Sequence, residues 1–401
     1  MRPQSGPEAQ DRVGYLDVLR TRWSLVSAAT LLYWTGAHAL RPLLPLRLDA
    51  LGANEAVIGL VLALFPLSAL GLAIPGGRLV DRVGVRRVLL GGFGGIALLG
   101  FGFARSASIP ALALLTAGIG LAELATWISL QSMASAGGTG RFLTKQLAVF
   151  SLAWGVGLAI GPVIGAALYD RLGFGAVGVF YLVCGAVSAV LIAVGPRVAV
   201  VARAAPGSIR SGVSTMWGSG PVRATLLSSF VALFVGGVKG SFLPLYLERA
   251  GLSIPRIGVL LSAMGVASLA VRVPLPWLLR RAGARSVLLA SMWLAVLPMT
   301  LVPFVDGFVL WMALTTLCSI GLGVNPPVTV ELMARYTDPT ERGLAMGLRL
   351  TANRIGQVIQ PALFGSMVAA SGFLGAFAAG GVLLAGITAW AHRVRFSAPA
   401  G

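Results

Sequence analysis

The sequence predicts an all-α integral membrane protein with twelve transmembrane helices, arranged as two pseudo-symmetric six-helix bundles. Of its 401 residues, 57% are apolar and only 11% are charged, whereas about a quarter of the residues in a soluble globular protein carry charge. The apolar residues form twelve runs, and most approach the roughly 20 residues that a bilayer span requires. The second six runs repeat the pattern of the first six.

The apolar runs fall into two sets separated by a polar stretch. They occupy 24–46, 56–76, 88–104, 109–132, 146–168 and 174–195, and then 224–246, 255–278, 286–304, 308–333, 343–369 and 372–391. The predicted domains are an N-terminal bundle (1–195), a cytoplasmic linker (196–222) and a C-terminal bundle (223–401). The first 22 residues carry charges but no apolar core or cleavage site, so we expect the first run to be a retained helix.

The formal charge of +18 predicts membrane orientation. Of the 31 basic residues, 21 fall in the two tails and in alternate loops, 5 fall in the remaining loops and 5 lie within spans. Because basic loops stay in the cytoplasm, both termini are predicted to be cytoplasmic in a multi-pass protein of the cytoplasmic membrane. Nucleic-acid binding is not predicted, because the basic residues are dispersed among apolar runs rather than gathered on a soluble surface.

The sequence gives little support for an enzyme, a metal site or a cofactor. Both cysteines, Cys184 and Cys318, lie inside apolar runs, and His38 and His392 are the only histidines. There is no HExxH motif, no Walker A loop and no pair of acids at catalytic spacing. A channel is disfavoured because a two-fold internal repeat is typical of transporters.

The two halves of the chain align without gaps at an offset of 199 residues. Residues 44–49 match 243–248, residues 81–90 match 280–289, and Gly157, Pro162, Gly173 and Phe174 match Gly356, Pro361, Gly372 and Phe373. One offset that serves several helices indicates duplication of a six-helix unit. Parallel repeats of this kind are a transporter architecture with a binding site near the membrane midplane.

The loop after the second run carries a recognisable motif, Gly77-Arg-Leu-Val-Asp81-Arg-Val-Gly84-Val-Arg-Arg87. It closely resembles the loop signature of the major facilitator superfamily, and with the repeat the resemblance covers almost the whole chain. The resemblance implies a secondary transporter whose loop latches the cytoplasmic ends of the halves. The alternative is a cytoplasmic loop that only sets the orientation of the protein in the membrane. The implied gating residues are Gly77, Asp81, Arg82, Gly84 and Arg86. In the second half Arg280 replaces the acid, so the latch is predicted to be asymmetric.

The fifth run contains glycines four residues apart followed by a proline. Small residues at this spacing let membrane helices pack closely, and proline removes one helical hydrogen bond. The pattern is similar to the superfamily's antiporter signature, which implies efflux; a packing motif without directional meaning is the alternative. Ala148 and Ala166 replace glycines of that signature. In the fourth run, Leu114 replaces an arginine that is tied to proton transfer in another signature of the superfamily. The packing residues are Gly157, Gly161, Pro162 and Gly165.

Glu123 is the only acid well inside any run, and it shares a helical face with Trp127 and Gln131. An ionisable residue at membrane depth is a candidate functional residue. Glu123 therefore either lines a proton or substrate pathway, where burial would let it exchange protons near neutral pH, or forms a structural ion pair.

Other polar residues inside the runs are candidates for the same pathway. Lys239 is one of two lysines, and unlike arginine it can lose its proton when buried. By family resemblance, the runs that hold His38, Arg41, Glu123 and Lys239 line the central cavity. The alternative for Arg41 is that its side chain extends to the membrane surface, and the alternative for His38 is that it packs within the protein.

The tenth and eleventh runs also carry polar residues. Asn325-Pro326-Pro327 is predicted to break the tenth helix and free its carbonyl groups. The eleventh run carries a polar stripe, which is interpreted either as a gating contact or as cavity lining. Its members are Arg349, Asn353, Gln357 and Gln360.

The sequence thus predicts a monomeric secondary transporter that moves a small, partly apolar organic solute by alternating access. Proton-coupled efflux through Glu123 is the first hypothesis, with Trp127 and Trp154 offering an adaptable apolar surface. The alternative is movement of an organic anion by symport or facilitated transport, because Arg41, Lys239 and Arg349 outnumber the single acid.

Overall fold

The computed structural model describes residues 14–136, 140–197, 219–337, 342–394 and 396, with the side chains of 71–81 and 342–344 left out. In these ranges the chain is helical and contains no β-strand. A short helix, Tyr15–Leu19, precedes the first span.

The first half of the chain forms six spans. The first consists of Ser24–Leu40, a 3-10 turn at Arg41–Leu43, and Leu44–Ala50. The others are Glu55–Val83, Val85–Arg105, Ile109–Ser135, Gly140–Leu172 and Phe174–Val194. Most of the predicted linker, residues 198–218, lies outside the described residues.

The second half follows the same order. The seventh span consists of Gly220–Gly240 and Phe242–Arg249, and the eighth begins with Ile254–Ala270. Leu275–Leu301 is interrupted at Gly283, where the eighth span ends and the ninth begins. Phe308–Arg335 is the tenth span, and Arg342–Arg393 is interrupted at Gly372, which separates the eleventh from the twelfth. The described chain therefore contains twelve spans, as predicted.

Glycines with positive φ place the helix ends at equivalent points of the two halves. Gly52, Gly84 and Gly173 have φ of 83°, 94° and 78°, and their counterparts 199 residues later, Gly251, Gly283 and Gly372, have φ of 85°, 76° and 69°. A side chain would strain each of these turns, because the left-handed region is open mainly to glycine. The offset found in the sequence is thus repeated in the backbone, which confirms the internal duplication.

The first and seventh spans are both discontinuous. Arg41–Leu43 interrupts the first, and Ser241, with φ −121° and ψ −70°, interrupts the seventh. Pro42 and Ser241 are 199 residues apart, so the two interruptions are equivalent in the repeat. Each leaves a cationic side chain, Arg41 or Lys239, at the C-terminal end of a half-helix, where the helix dipole favours positive charge.

Contacts divide the chain into two compact units. The first unit contains Met1–Leu43 and Leu67–Arg203, and the second contains Leu44–Pro66 and Ala204–Gly401. The C-terminal part of the first span and the start of the second therefore belong to the second unit by packing. The division at 195 and 223 follows the sequence repeat and stays a prediction.

Lipid-facing and protein-facing residues are separated on the spans. Leu98, Leu114 and Val382 are 71%, 78% and 75% exposed, as expected for side chains that face hydrocarbon. Buried polar residues such as Thr116, Ser188 and Thr388 donate to a main-chain carbonyl, because no water is present at that depth to satisfy them.

Candidate functional site

Glu123 lies near the middle of the fourth span, Ile109–Ser135, and is 4% exposed. Arg41 donates a hydrogen bond from Nη2 to Glu123 Oε2, and the two side chains form an ion pair. The hydroxyl of Tyr181, in the sixth span, donates to Glu123 Oε1 at 2.9 Å. Both carboxylate oxygens therefore have a donor, which is the condition for keeping a charged carboxylate buried.

Arg41 reaches Glu123 from the interruption in the first span. Its side chain is 32% exposed and its guanidinium carbon lies 5.7 Å from the ring centroid of Trp34. A guanidinium over an indole face gains cation–π attraction. The ion pair and the ring contact direct the guanidinium of Arg41 towards the fourth span.

An aromatic cluster adjoins this ion pair. Trp34 lies 5.2 Å from Trp127 and 5.7 Å from Trp154, and Trp127 lies 6.0 Å from Trp154, measured between ring centroids. His38 stacks on Trp34 at 5.1 Å, with its Nδ1 3.0 Å from the Trp34 carbonyl oxygen. We call Trp34, His38, Trp127 and Trp154 the aromatic cluster. The structure thus brings His38, Arg41, Glu123 and Trp127 together in the first unit.

Two members of this site were missed by the sequence analysis. Tyr181 is 1% exposed and Trp34 is half-buried; neither was singled out, because hydroxyls and indoles are ordinary in apolar spans. One available signal was Trp34's position, four and seven residues before His38 and Arg41 on one helical face.

The second unit holds Lys239. Its Nζ lies 3.4 Å from Ser319 Oγ, and among the described residues it forms no ion pair with a carboxylate. Lys239 is therefore an interior cation that hydrogen-bonds to a neutral hydroxyl.

Asn325 is buried in the tenth span and donates from Nδ2 to Ser228 Oγ at 2.6 Å and to the Ser228 carbonyl at 3.2 Å. The predicted break at Asn325-Pro326-Pro327 is wrong, because Phe308–Arg335 continues through both prolines. Packed membrane helices tolerate proline where side chains and neighbours satisfy the backbone. Here the Thr329 hydroxyl donates to the Pro326 carbonyl at 3.0 Å.

The polar residues of the eleventh span are half-buried or buried, and their role as a gating contact or as cavity lining stays a prediction. Gln360 is fully buried and lies 3.4 Å from Ser241 Oγ through its Nε2, beside the interruption of the seventh span. Arg349 Nη1 lies 3.5 Å from Thr329 Oγ1, and Arg354 donates to Gln357 Oε1 at 3.1 Å. The Oδ1 atom of Asn353 is buried and accepts no hydrogen bond within the described chain.

The loop between the second and third spans is described in part. Gly77 and Asp81 lie within the helix Glu55–Val83, and their side chains fall outside the described residues. Arg82 is exposed, and Gly84 has φ 94° at the turn. Arg86 donates to the carbonyls of Ile192 and Ala193 at the end of the sixth span.

The glycine motif of the fifth span packs against the first span. A Cβ atom at Gly157, Gly161 or Gly165 would lie within 2.8 Å, 2.6 Å or 2.3 Å of atoms of the first span. Only hydrogen fits at these separations, so the two backbones approach closely. The helix Gly140–Leu172 continues through Pro162.

A second ion-pair group lies in the second unit. Arg249 donates to Asp49 Oδ1 at 2.6 Å and to Glu55 Oε1 at 2.5 Å. Glu55 is the first residue of its helix and precedes the apolar run 56–76, and the hydrogen bond from Arg249 holds its pKa below the usual value.

Among the described residues, no group of three or more His, Cys, Asp or Glu side chains could hold a metal ion.

The model of the Major Facilitator Superfamily matches residues 26–286 and 225–399. The chain belongs to this family. As a member of the major facilitator superfamily, it is a multi-pass membrane transporter of small solutes rather than an enzyme.

Curated relatives are transport and resistance proteins. Multidrug resistance protein MdtH of Aeromonas hydrophila is 27% identical over 342 residues, which cover 81% of this chain and 82% of that protein. A probable L-galactonate transporter of Escherichia coli is 30% identical over 136 residues, 34% of this chain and 30% of that protein. The probable sulfoacetate transporter SauU of Cupriavidus necator is 26% identical over 145 residues, 36% of this chain and 34% of that protein.

Solved structures share the superfamily fold. A bacterial homologue of the human lysosomal transporter Spinster has a TM-score of 0.73 at 13% identity, covering 93% of this chain and 96% of its own. The nucleoside transporter NupG has a TM-score of 0.73 at 15% identity, covering 93% and 100%. These similarities show the fold.

Proposed function

We propose that this member of the superfamily exports a small, partly apolar organic compound in exchange for protons, with Glu123 as the residue that carries the proton. The observation that carries the proposal is the buried Glu123 carboxylate, held by Arg41 on one oxygen and Tyr181 on the other. Placing charges at this depth costs free energy, so a buried acid in a span is expected to serve transport.

The ion pair of Arg41 and Glu123 supports proton exchange at Glu123. When a proton binds to the Oε2 atom of the carboxylate, the group becomes neutral and loses its charge-assisted bond to Arg41. The Arg41 guanidinium remains charged because arginine does not deprotonate in proteins. Protonation therefore converts a neutral pair into a single cation beside the aromatic cluster, and release of the proton restores the pair.

The aromatic cluster supports the substrate side of the proposal. Trp34, Trp127 and Trp154 are half-buried, and their rings meet beside the ion pair. Aromatic rings give a large apolar contact area with few rotatable bonds, which suits partly apolar ligands of varied shape. The relative named as a multidrug resistance protein, which matches over most of the chain, also favours export.

The second candidate function is transport of an organic anion, and one observation favours it. Arg41 and Glu123 neutralise each other, whereas Lys239 contacts a hydroxyl and no described carboxylate. The interior of the second unit thus has a positive charge available to an anion. Two shorter matches are named as transporters of the organic anions galactonate and sulfoacetate.

The remaining parts of the proposal follow the sequence. Asp81 and the loop around it act as a conformational latch, and both termini lie in the cytoplasm with the protein acting as a monomer. Arg86 supports this role for the loop, because it lies at the end of the loop motif and donates to a carbonyl at the end of the sixth span.

Proton exchange can be tested with Glu123→Gln, which removes the titrating group and keeps the side-chain volume. Loss of substrate-dependent proton movement is expected, with Glu248→Gln as the matched control because Glu248 is exposed at the end of a helix. For the second candidate, Lys239→Ala should weaken anion binding while Lys145→Ala, the other lysine, should not. Unchanged anion affinity in Lys239→Ala would remove the support for that candidate.

A further inference from the structure

The eleventh span carries a half-buried cation, Arg349, that the proposed proton exchange does not use. The Nε atom of Arg349 is buried and makes no hydrogen bond within the described chain. The Nη1 atom of the same side chain has one contact, at 3.5 Å from Thr329 Oγ1, a long distance for a hydrogen bond. None of the described carboxylates forms an ion pair with Arg349.

This arrangement leaves a buried N–H donor of a permanently charged group without an acceptor in the described chain. A guanidinium has five N–H donors and stays protonated in proteins. Burying even part of such a group without an anionic or hydrogen-bonding partner costs free energy. A carboxylate that accepted hydrogen bonds from Arg349 would remove that cost, and the planar guanidinium fits carboxylate oxygens well.

Asn353 places a second polar atom without a hydrogen-bond partner among the described residues on the same face of the helix. Its Oδ1 atom is buried and accepts no hydrogen bond within the described chain. Four residues separate Arg349 from Asn353, so the two side chains lie about 6 Å apart along the helix axis. A simple carboxylate would satisfy Arg349 and leave Asn353 without a donor. A ligand with a hydroxyl or amino group beside its carboxylate would satisfy both.

An apolar cluster packs beside these residues. Ala345 is fully buried in an apolar cluster with Val222, Leu226 and Met333, and Leu348 and Ala352 pack against it. Leu348 and Ala352 flank the polar pair in sequence. Hydrogen bonds to a charged group are stronger where water is excluded. The neighbouring Arg354 donates to Gln357, so its guanidinium already has a partner on its own helix.

We infer that Arg349, Asn353 and Thr329 form a subsite for an organic carboxylate that carries a hydroxyl or amino group on the adjacent carbon. Arg349 binds the carboxylate, Asn353 accepts a hydrogen bond from the adjacent group, and Thr329 lies beside the guanidinium. The inference rests on the transport function proposed above and adds the chemical class of the transported molecule. A zwitterion of this class has no net charge and is compatible with exchange for protons.

The test is direct binding to the purified full chain in lipid nanodiscs, measured by isothermal titration calorimetry. The probes are mandelate, phenylglycine, phenylacetate and 2-phenylethanol, which share a phenyl ring and differ in the carboxylate and its adjacent donor. We expect mandelate and phenylglycine to bind more tightly than phenylacetate, and 2-phenylethanol to bind least.

Arg349→Gln should weaken mandelate binding about ten-fold or more, the effect of losing a hydrogen bond to a charged group. Arg354→Gln, the matched control on the same helix, should change it less than about two-fold. Asn353→Ala should erase the preference for mandelate over phenylacetate. Arg349→Lys keeps the charge and should give an intermediate affinity, which separates binding from a loss of folding.

Equal mandelate affinities in Arg349→Gln and Arg354→Gln would overturn the inference, as would the absence of mandelate binding by the folded wild-type protein. The outcome is separable from that for proton exchange. If mandelate binds and Glu123→Gln leaves proton movement unchanged, the subsite is supported and Glu123 is not the coupling residue. If Glu123→Gln loses proton exchange but the wild-type protein does not bind mandelate, coupling through Glu123 is supported and the subsite is refuted.

Discussion

Arg41 and Glu123 form an ion pair across 82 residues of chain, between the interruption of the first span and the middle of the fourth. Glu123 is nearly inaccessible, with 5% of its side chain exposed, whereas Arg41 retains 32%. The arginine can therefore stay solvated when the acid is protonated, but the acid cannot stay charged without the arginine. This asymmetry is the reason that we place the proton on Glu123.

Replacing Arg41 should destabilise the protein more than replacing Glu123. Arg41→Gln leaves a buried carboxylate without its cation and should lower the free energy of unfolding by about 3 kcal/mol, the lower end for a broken buried pair because Arg41 is partly exposed. The double variant Arg41→Gln/Glu123→Gln should recover most of that loss. Denaturant unfolding in detergent measures both values, with exposed Arg105→Gln as control. Additive losses in the double variant would mean that the two side chains are not coupled.

The fifth span should be intolerant of even one methyl group at Gly165. A Cβ there would lie 2.3 Å from the Ala39 carbonyl oxygen, whereas one at Gly94 in the third span would meet nothing within 4 Å. Gly165→Ala should lower the free energy of unfolding by about 1–3 kcal/mol. Gly94→Ala should be neutral or stabilising, because alanine favours helix. Equal thermal stabilities for the two variants would show that the close packing of the first and fifth spans is unimportant.

The ion-pair group of Arg249, Asp49 and Glu55 should make stability depend on pH. Arg249 lowers the pKa of Glu55 below 4.5 in the folded protein. The stabilisation is therefore present above pH 4.5, and is lost as pH falls through the lower folded value. Partial exposure of all three side chains keeps the effect small.

Thermal unfolding at pH 7 and at pH 3 tests this dependence. The wild-type protein should lose more stability on acidification than Arg249→Gln, in which Glu55 has no cation. Arg256→Gln, at an exposed position of the eighth span, is the control and should behave like wild type. The same pH response in Arg249→Gln and wild type would refute the role of this ion-pair group.

Arg86 and Arg285 should stabilise the two repeats by the same contact. Arg86 donates to the Ala193 carbonyl, and Arg285 donates to the His392 carbonyl at 3.0 Å; both donors and both acceptors are 199 residues apart. A cation that binds the last carbonyls of a helix gains from its dipole, so each arginine should contribute about 0.3–1 kcal/mol. Arg86→Gln and Arg285→Gln should each lower the unfolding temperature. Arg87→Gln, at the exposed neighbouring position, should not, and equal effects at 86 and 87 would contradict the contact.

The repeat and the helix boundaries could be predicted from the sequence because they depend on local features. The lengths of the apolar runs defined the spans, and the repeat paired Gly84 with Gly283, which both have positive φ in the structure. The break at Pro326 and Pro327 was predicted wrongly, because tertiary packing can satisfy a membrane helix after proline removes its donors. Local propensity could not reveal that compensation.

The candidate site could be predicted only in part. The free-energy cost of burying a charge singled out Glu123 from the sequence. Its partners, however, lie on other helices, and Tyr181 is separated from it by 58 residues. Such pairings depend on the rotation and depth of each helix, which apolar periodicity does not determine. Arg41 had two interpretations for the same reason, and only its placement beside Trp34 and Glu123 identified its contacts.

The most direct test of proton carriage by Glu123 is a ΔpH-quench assay in inverted membrane vesicles. Wild type, Glu123→Gln and the control Glu248→Gln are compared after addition of a lipophilic cation, an organic anion without an adjacent hydroxyl group such as phenylacetate, or phenylglycine. Proton release with the cation or the zwitterion in wild type and Glu248→Gln, abolished in inserted Glu123→Gln, is the expected result. A substrate response that survives in Glu123→Gln would contradict proton carriage by this residue, and a response to anions alone would favour anion transport through Lys239.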